Sequence, residues 1–175
     1  MRQAVSALGC ILLLSCGALA QKRPNFSGSY VLAWPEPEIH HGRKQRPSQL
    51  NVVQHGRVLR ATLTERGKTR TSTYFLDGTV SKNVGADGAP STDRARIQFQ
   101  TLLIESSIRV RKVTLEMEQK WQLSVDSRHL IIQITANAGS AALPAFGLGS
   151  WENVYTRVPV APPARTAARK KPPAS

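Results

Sequence analysis

The sequence predicts an all-β domain, and three observations support that class. The stretch 113–125 alternates polar residues with apolar ones, and the apolar face holds Val113, Leu115, Met117, Trp121, Leu123 and Val125. A period of two is typical of an antiparallel strand with one side on a core and the other in water. Short pairs of turn-forming residues separate similar runs elsewhere, and no stretch after residue 20 shows a helical period.

These observations favour a single antiparallel up-and-down β-barrel of about eight to ten strands, without substantial helix. Tight hairpins make neighbours in sequence neighbours in space, and closing the sheet removes its two exposed edges. A β-sandwich is the alternative. It needs long crossovers, whereas the longest predicted connection, 35–47, only joins the first strand to the rest.

In the amino-terminal half we expect a strand at Ser29–Trp34, because Pro35 and Pro37 then prevent further ladder bonding. Glycine-containing pairs predict hairpin turns between the next strands, and Asp77-Gly78 is the strongest of these signals. The other two pairs are His55-Gly56 and Arg66-Gly67.

In the carboxy-terminal half, the glycine-rich stretch 81–90 predicts a turn region. We expect strands at about 94–99, 102–110, 113–125, 129–136 and 151–157. A bulge or break is predicted near Gln100-Thr101, and a turn at Asp126-Ser127-Arg128.

The first twenty residues predict a secretory signal peptide. Arg2 supplies a positive charge, 4–14 is apolar, and Ala18-Leu19-Ala20 is an A-x-A cleavage site. We therefore expect a periplasmic or secreted protein. The alternative for this segment is a short buried helix. Cys16 ends a loose lipobox, so a lipid anchor at this residue is a second alternative. Both cysteines lie in this segment, which excludes a disulfide scaffold and a thiol enzyme after cleavage.

The net charge of +13 is concentrated partly in the flanking segments. Between residues 26 and 158 the chain holds 17 basic and 11 acidic residues, so the β-barrel domain, 25–158, is only mildly basic. The segment 159–175 is rich in proline, alanine and basic residues and is expected to be disordered. Its Arg169-Lys170-Lys171 cluster could attract an anionic envelope polymer or lipid. No nucleic-acid partner is expected for an exported protein.

Three short motifs carry a resemblance to a known group of proteins. They are Asn25-Phe26-Ser27-Gly28-Ser29-Tyr30-Val31-Leu32, Leu50-Asn51-Val52-Val53-Gln54-His55-Gly56 and Trp121-Gln122-Leu123-Ser124-Val125-Asp126. This chain resembles small exported bacterial proteins with lipocalin-like (calycin-type) β-barrels, mostly of unknown function. Tyr30 stands where tryptophan is common in that group, and a glycine-rich turn is absent before Leu102. The resemblance implies an antiparallel barrel and no reaction.

Candidate chemistry outside the barrel interior is sparse. Glu38, His40 and His41 have metal-ligand side chains, but adjacent residues of an extended chain point to opposite sides, which favours a polar loop over a metal site. We find no nucleophile elbow, zinc-protease motif or phosphate-binding loop, and thus no catalytic signature and no cofactor. Glu116 and Glu118 share a strand face with polar neighbours, which indicates a solvated outer surface.

The barrel interior is the remaining candidate site. Its expected inward residues are Trp34, Tyr74, Phe99, Leu115, Met117, Gln119, Trp121 and Ile132. A barrel of this size either fills with side chains or holds one small ligand, and the bulk of tryptophan and methionine favours the filled core. Gln119 would orient a ligand in one case and pair with a protein group in the other. The sequence thus predicts a non-enzymatic exported barrel, with binding of a small hydrophobic ligand as the candidate function of its interior; the alternative is an envelope protein that binds anionic polymer or lipid.

Overall fold

The computed structural model describes residues 23–34, 39–40, 43–44, 48–85, 88–110, 113–138 and 149–159. These residues form β-strands, turns and short irregular connections, without helix. The strands are β1 (Gly28–Trp34), β2 (Ile39–His40), β3 (Arg43–Lys44), β4 (Gln49–His55), β5 (Val58–Glu65), β6 (Lys68–Phe75), β7 (Asp77–Val84), β8 (Pro90–Gln98), β9 (Thr101–Val110), β10 (Val113–Leu123), β11 (His129–Ala138) and β12 (Gly149–Arg157). Strands β2 and β3 pair only with each other.

The other ten strands form one antiparallel sheet that curls into a nearly closed barrel. Its order is β6-β5-β4-β1-β12-β11-β10-β9-β8-β7, so β1 pairs with both β4 and β12 and joins the two halves. The two ends of the sheet, β6 and β7, are consecutive in the chain and lie beside each other. The predicted up-and-down barrel is confirmed.

No backbone ladder joins β6 and β7, the two ends of the sheet. A side chain bridges the gap between them. The amide of Asn83 accepts a hydrogen bond from Thr73 N at 2.8 Å and donates one to Thr73 O at 2.9 Å. It thereby replaces one pair of ladder bonds. The prediction of a hairpin at Asp77-Gly78 is wrong, because the strands on either side do not pair with each other. Gly78 (φ +85°) instead lies in an irregular start of β7, where the register with β8 shifts between Asp77 and Val80.

The hydrophobic core occupies one end of the barrel, which we call the closed end; strands β1, β5, β7, β9 and β11 begin there. Among its buried side chains are Phe26, Leu59, Leu76, Leu102 and Leu130. The opposite end, where β4, β6, β8, β10 and β12 begin, is called the open end. Few of its inward side chains are fully buried, so the two ends of the barrel are packed differently.

The segment before β1 covers the closed end. Gln54 holds it there: its Nε2 donates to Pro24 O at 3.1 Å, and its Oε1 accepts from Phe26 N at 3.0 Å. The Phe26 ring is fully buried and meets Trp121 edge-on, with ring centroids 6.5 Å apart. Tyr30 donates its hydroxyl hydrogen to Phe26 O at 2.9 Å. The segment is therefore part of the core.

Arg157, the last residue of β12, secures the same segment. Its Nη2 donates to Ser27 O at 3.0 Å and to the Tyr30 hydroxyl at 2.7 Å, and its guanidinium lies 5.3 Å from the centre of the Tyr30 ring. A Cβ at Gly28 would come within 3.2 Å of both the Tyr30 ring and Arg157 Nε. Glycine therefore follows Phe26-Ser27 because the start of β1 and the end of β12 converge closely here.

Most predicted turns are present, with shifts of one or two residues. Arg66-Gly67 is a hairpin turn as predicted, whereas the turn after β4 uses Gly56-Arg57, because His55 still pairs with Val58. The break expected near Gln100-Thr101 is the two-residue turn Phe99-Gln100.

The run that begins at Val113 forms β10 but ends at Leu123, so the expectation for Val125 is wrong: it is exposed in the next turn. The predicted turn region 81–90 is also shorter than expected, because β7 continues to Val84 and β8 begins at Pro90. The predicted signal peptide, Cys16 and residues 160–175 of the tail lie outside the described residues. No helix long and apolar enough to cross a membrane occurs in the described part.

Candidate ligand-binding cavity

A cavity of about 520 Å³ occupies the open end of the barrel. Its floor is formed by core residues, including Leu50, Trp121 and Tyr155. Above the floor, apolar side chains from β1, β5, β9, β10, β11 and β12 line the wall: Leu32, Leu63, Ile108, Val110, Leu115, Met117, Ile134 and Trp151. The interior is therefore only partly filled, and the filled core favoured from side-chain volume is wrong for this end.

Strand β10 contributes the inward face that its alternation predicted. Leu115, Met117, Gln119 and Trp121 all line the cavity, as do Tyr74 and Ile132 on other strands. On the opposite face, Glu116 accepts a hydrogen bond from Ser107 and Glu118 forms an ion pair with Lys120, so these carboxylates lie outside the cavity.

Gln119 is paired by side chains of its own strand. Trp121 Nε1 donates to Gln119 Oε1 at 3.0 Å, and Gln119 Nε2 lies 3.6 Å from Met117 Sδ, a weak acceptor. The three residues thus form a chain along the inner face of β10. The amide satisfies the buried indole N–H and still borders the cavity.

Two of the predicted interior residues do not face the interior. Trp34 is 58% exposed, because a register shift between Leu32 and Trp34 reverses the alternation and pairs Trp34 with the outward Val154. Phe99 is 85% exposed, because the chain turns there with φ +56°. For these two aromatic residues the expectation of an inward side chain is wrong.

A polar wall, defined as Ser72, Ser91, Asp93 and Ser106, lines one side of the cavity. Asp93 is only 3% exposed, and its Oδ2 accepts from Asn83 Nδ2 at 2.7 Å and from Ser91 Oγ at 3.1 Å. Ser106 pairs with Asp93 across β8 and β9 and is 5% exposed. The cavity therefore has a hydrogen-bonding side and an apolar side.

Two tyrosines close the floor and stay protonated at ordinary pH. The pKa of Tyr74 is raised to about 12, mainly by burial and also by the Asp93 charge, against lowering by a hydrogen bond with Ser72 and by the Arg70 charge. Burial likewise raises the pKa of Tyr155 to about 12, with the charge of Glu65 in support and that of Arg70 opposed. Both hydroxyls therefore act as neutral groups.

Sequence reasoning missed the polar wall because the inward polar residues of β6 and β8 resemble solvated ones, and because Ser106 lies in the run 102–110, whose apolar residues are less regularly spaced. The one usable signal was strand parity: Ala95 and Ile97 have the inward parity of β8, and counting back in twos reaches Asp93 and Ser91. The metal candidates Glu38 and His41, and the side chain of His40, lie outside the described residues. In the described part, no three carboxylate, imidazole or thiol side chains gather to hold a metal ion.

Comparison with known proteins identifies the fold. No protein-family model and no curated protein sequence matches this chain. Solved structures do match, among them zebrafish ileal bile acid-binding protein complexed with cholic acid, with a TM-score of 0.52 and 15% identity over 76% of this chain and 98% of that one. The chain folds as a lipocalin-like barrel.

Two further matches show how widely this lipocalin-like barrel is used. Echinococcus granulosus fatty-acid-binding protein 1 has a TM-score of 0.51 and 12% identity over 77% of this chain and 98% of that one. The abundant heat soluble (SAHS) protein of Ramazzottius varieornatus has a TM-score of 0.55 and 8% identity over 79% of this chain and 98% of that one. Identities this low establish the shared fold alone, so function must be argued from the cavity.

Proposed function

We propose that this protein is an exported, non-enzymatic carrier that binds a small, largely hydrophobic molecule in the open end of its barrel. The observation that carries the proposal is the cavity of about 520 Å³ with a mainly apolar lining. Sites for small molecules typically have volumes of ~300–1,000 Å³ and a few polar groups among apolar walls.

The construction of the barrel supports this use. The packed closed end makes the cavity a blind pocket, so a ligand enters and leaves at the open end. Apolar residues stand at that entrance, where Trp151 is 41% and Val84 is 54% exposed while both border the cavity. Proteins described as binding bile acid and fatty acid share the fold, and this supports a ligand of similar size.

Filling the cavity tests the proposal. Met117 borders the cavity from the middle of β10, and a tryptophan there would occupy space that a ligand needs. Thr114 lies on the same strand but is exposed on the outer face, so Thr114→Trp adds the same ring without entering the cavity. We would titrate both variants and the unmodified full chain with N-phenyl-1-naphthylamine, a neutral apolar dye whose fluorescence rises in apolar surroundings.

The unmodified protein and Thr114→Trp should bind the dye with a single saturable site, and Met117→Trp should lose at least ~90% of the affinity, a loss of about 1.4 kcal/mol. Circular dichroism would establish that all three proteins are folded. Equal binding by Met117→Trp, or absence of saturable binding to the unmodified chain, would overturn the proposal.

A further inference from the structure

The polar wall offers an unused acceptor inside the cavity. Within the described residues, Oδ2 of Asp93 takes hydrogen bonds from Asn83 and Ser91, whereas none reaches Asp93 Oδ1 or Ser106 Oγ. Neither oxygen has a hydrogen-bond partner in that part of the chain, yet neither is fully shielded from solvent. Because both residues line the cavity, both oxygens are open to it. A carboxylate that is 97% buried, with one oxygen free toward a cavity, favours a ligand that supplies the missing hydrogen bond.

The position of this acceptor also divides the cavity. Asp93 and Ser106 are cross-strand neighbours, and the next residue in that row is Met117 on β10. Beside this row, Ile134 on β11 and Trp151 on β12 line the cavity as a cross-strand pair next to Gln119. A ligand that reaches Asp93 with a polar end can therefore lay an apolar remainder against β10, β11 and β12.

The charged side chains that line the cavity determine which polar group of a ligand is bound there. The charged residues that line the cavity are Glu65, Arg70 and Asp93, so two carboxylates face one guanidinium. Glu65 is exposed and Arg70 is partly exposed, whereas Asp93 is buried, where charges are screened least. A ligand carboxylate beside Asp93 would meet like charge, whereas a hydroxyl or an amine would donate to it.

On the basis of the proposed function, we infer that the ligand is an amphipathic molecule whose polar end is a hydrogen-bond donor, a hydroxyl or an amine, bound by Asp93 Oδ1 and Ser106 Oγ. Its apolar part lies against the wall that includes Met117 and Ile134. Arg70 near the entrance is not the anchor.

Three probes with the same twelve-carbon chain test this inference: 1-dodecanol, dodecylamine and dodecanoate, each used below its solubility limit or critical micelle concentration to displace the dye from the full chain. We expect the alcohol and the amine to bind roughly tenfold to a hundredfold more tightly than dodecanoate, the range of a hydrogen bond to a charged group. Comparing alcohol with amine then separates a neutral from a cationic polar end.

The variant Asp93→Asn sharpens the test. Its amide oxygen can keep the bonds from Asn83 and Ser91, which leaves the amide N–H₂ toward the cavity. The acceptor becomes a donor, so affinity for the alcohol and amine should fall and affinity for dodecanoate should rise. Ser106→Ala should weaken alcohol binding severalfold, whereas Ser107→Ala, the neighbouring serine bonded to Glu116 on the outer face, should not change it.

The outcomes separate the two proposals. If all three probes bind with equal affinity, or if dodecanoate binds best and loses its affinity in Arg70→Gln, the donor-ended ligand is wrong and the carrier function stands. If neither the dye nor any probe binds, both fail. An unchanged order of affinities in folded Asp93→Asn would also refute the role of Asp93.

Discussion

Replacing Phe26 by alanine tests whether the segment before β1 is part of the folded core. The ring is fully buried and meets Trp121 edge-on. Phe26 forms its hydrogen bonds through its own backbone atoms alone: its N donates to the Gln54 side chain, and its O accepts from the Tyr30 hydroxyl. The substitution therefore removes packing and leaves the hydrogen bonds available. Loss of a buried phenylalanine side chain typically costs about 3–5 kcal/mol.

The measurement is urea denaturation followed by tryptophan fluorescence and circular dichroism. For a folded domain of this size, 3–5 kcal/mol corresponds to a fall of about 10–20 °C in melting temperature, which provides a second readout. Phe26 packs behind Trp121 and does not itself line the cavity, so dye affinity well below the melting temperature should be preserved.

Phe99→Ala is the matched control. It removes the same ring from a side chain that is 85% exposed, and the free energy of unfolding should change by less than about 0.5 kcal/mol. If Phe26→Ala were no more destabilising than this control, the closed end would not depend on the segment, and the division into a packed end and an open end would be wrong.

Three further predictions follow from the geometry. The pKa of Tyr74 and of Tyr155 in the folded protein, about 12, lies above the ordinary value of 10. Their protonated forms therefore stabilise the fold fully below pH 10, and this stabilisation is lost as pH rises through 12. Denaturation followed with tyrosinate absorbance should show the loss of stability, and the loss should be smaller in Tyr74→Phe. Asn83→Ala should destabilise the barrel by roughly 2–4 kcal/mol and speed hydrogen exchange at the Thr73 amide, because two backbone groups and Asp93 lose partners; exposed Asn51→Ala should do neither. Phe99→Gly should raise the free energy of unfolding by roughly 0.5–1 kcal/mol, since φ +56° strains any residue with a Cβ; a decrease in urea denaturation would contradict this.

The candidate site was predictable where alternation continued through a regular strand. Six of the eight expected interior residues line the cavity, including the four on β10, because the period of two persists from Val113 to Leu123. The prediction failed at Trp34 and Phe99, where an extra residue and a turn interrupt that period. A local pattern identifies the faces of a strand, but it does not locate a bulge that depends on pairing with a distant strand.

The sequence by itself determined the fold class, the inward face of β10 and most of the turns, because alternation and glycine-containing turns depend on neighbours in the chain. Tertiary structure decided the rest. Asn83 replaces a missing ladder because β6 and β7 meet without backbone pairing, and Asp93 borders the cavity because the ten-stranded sheet closes around the inward face of β8. Whether the interior is filled is also tertiary, since it depends on how residues from nearly every strand share one volume, which no single run of residues can specify.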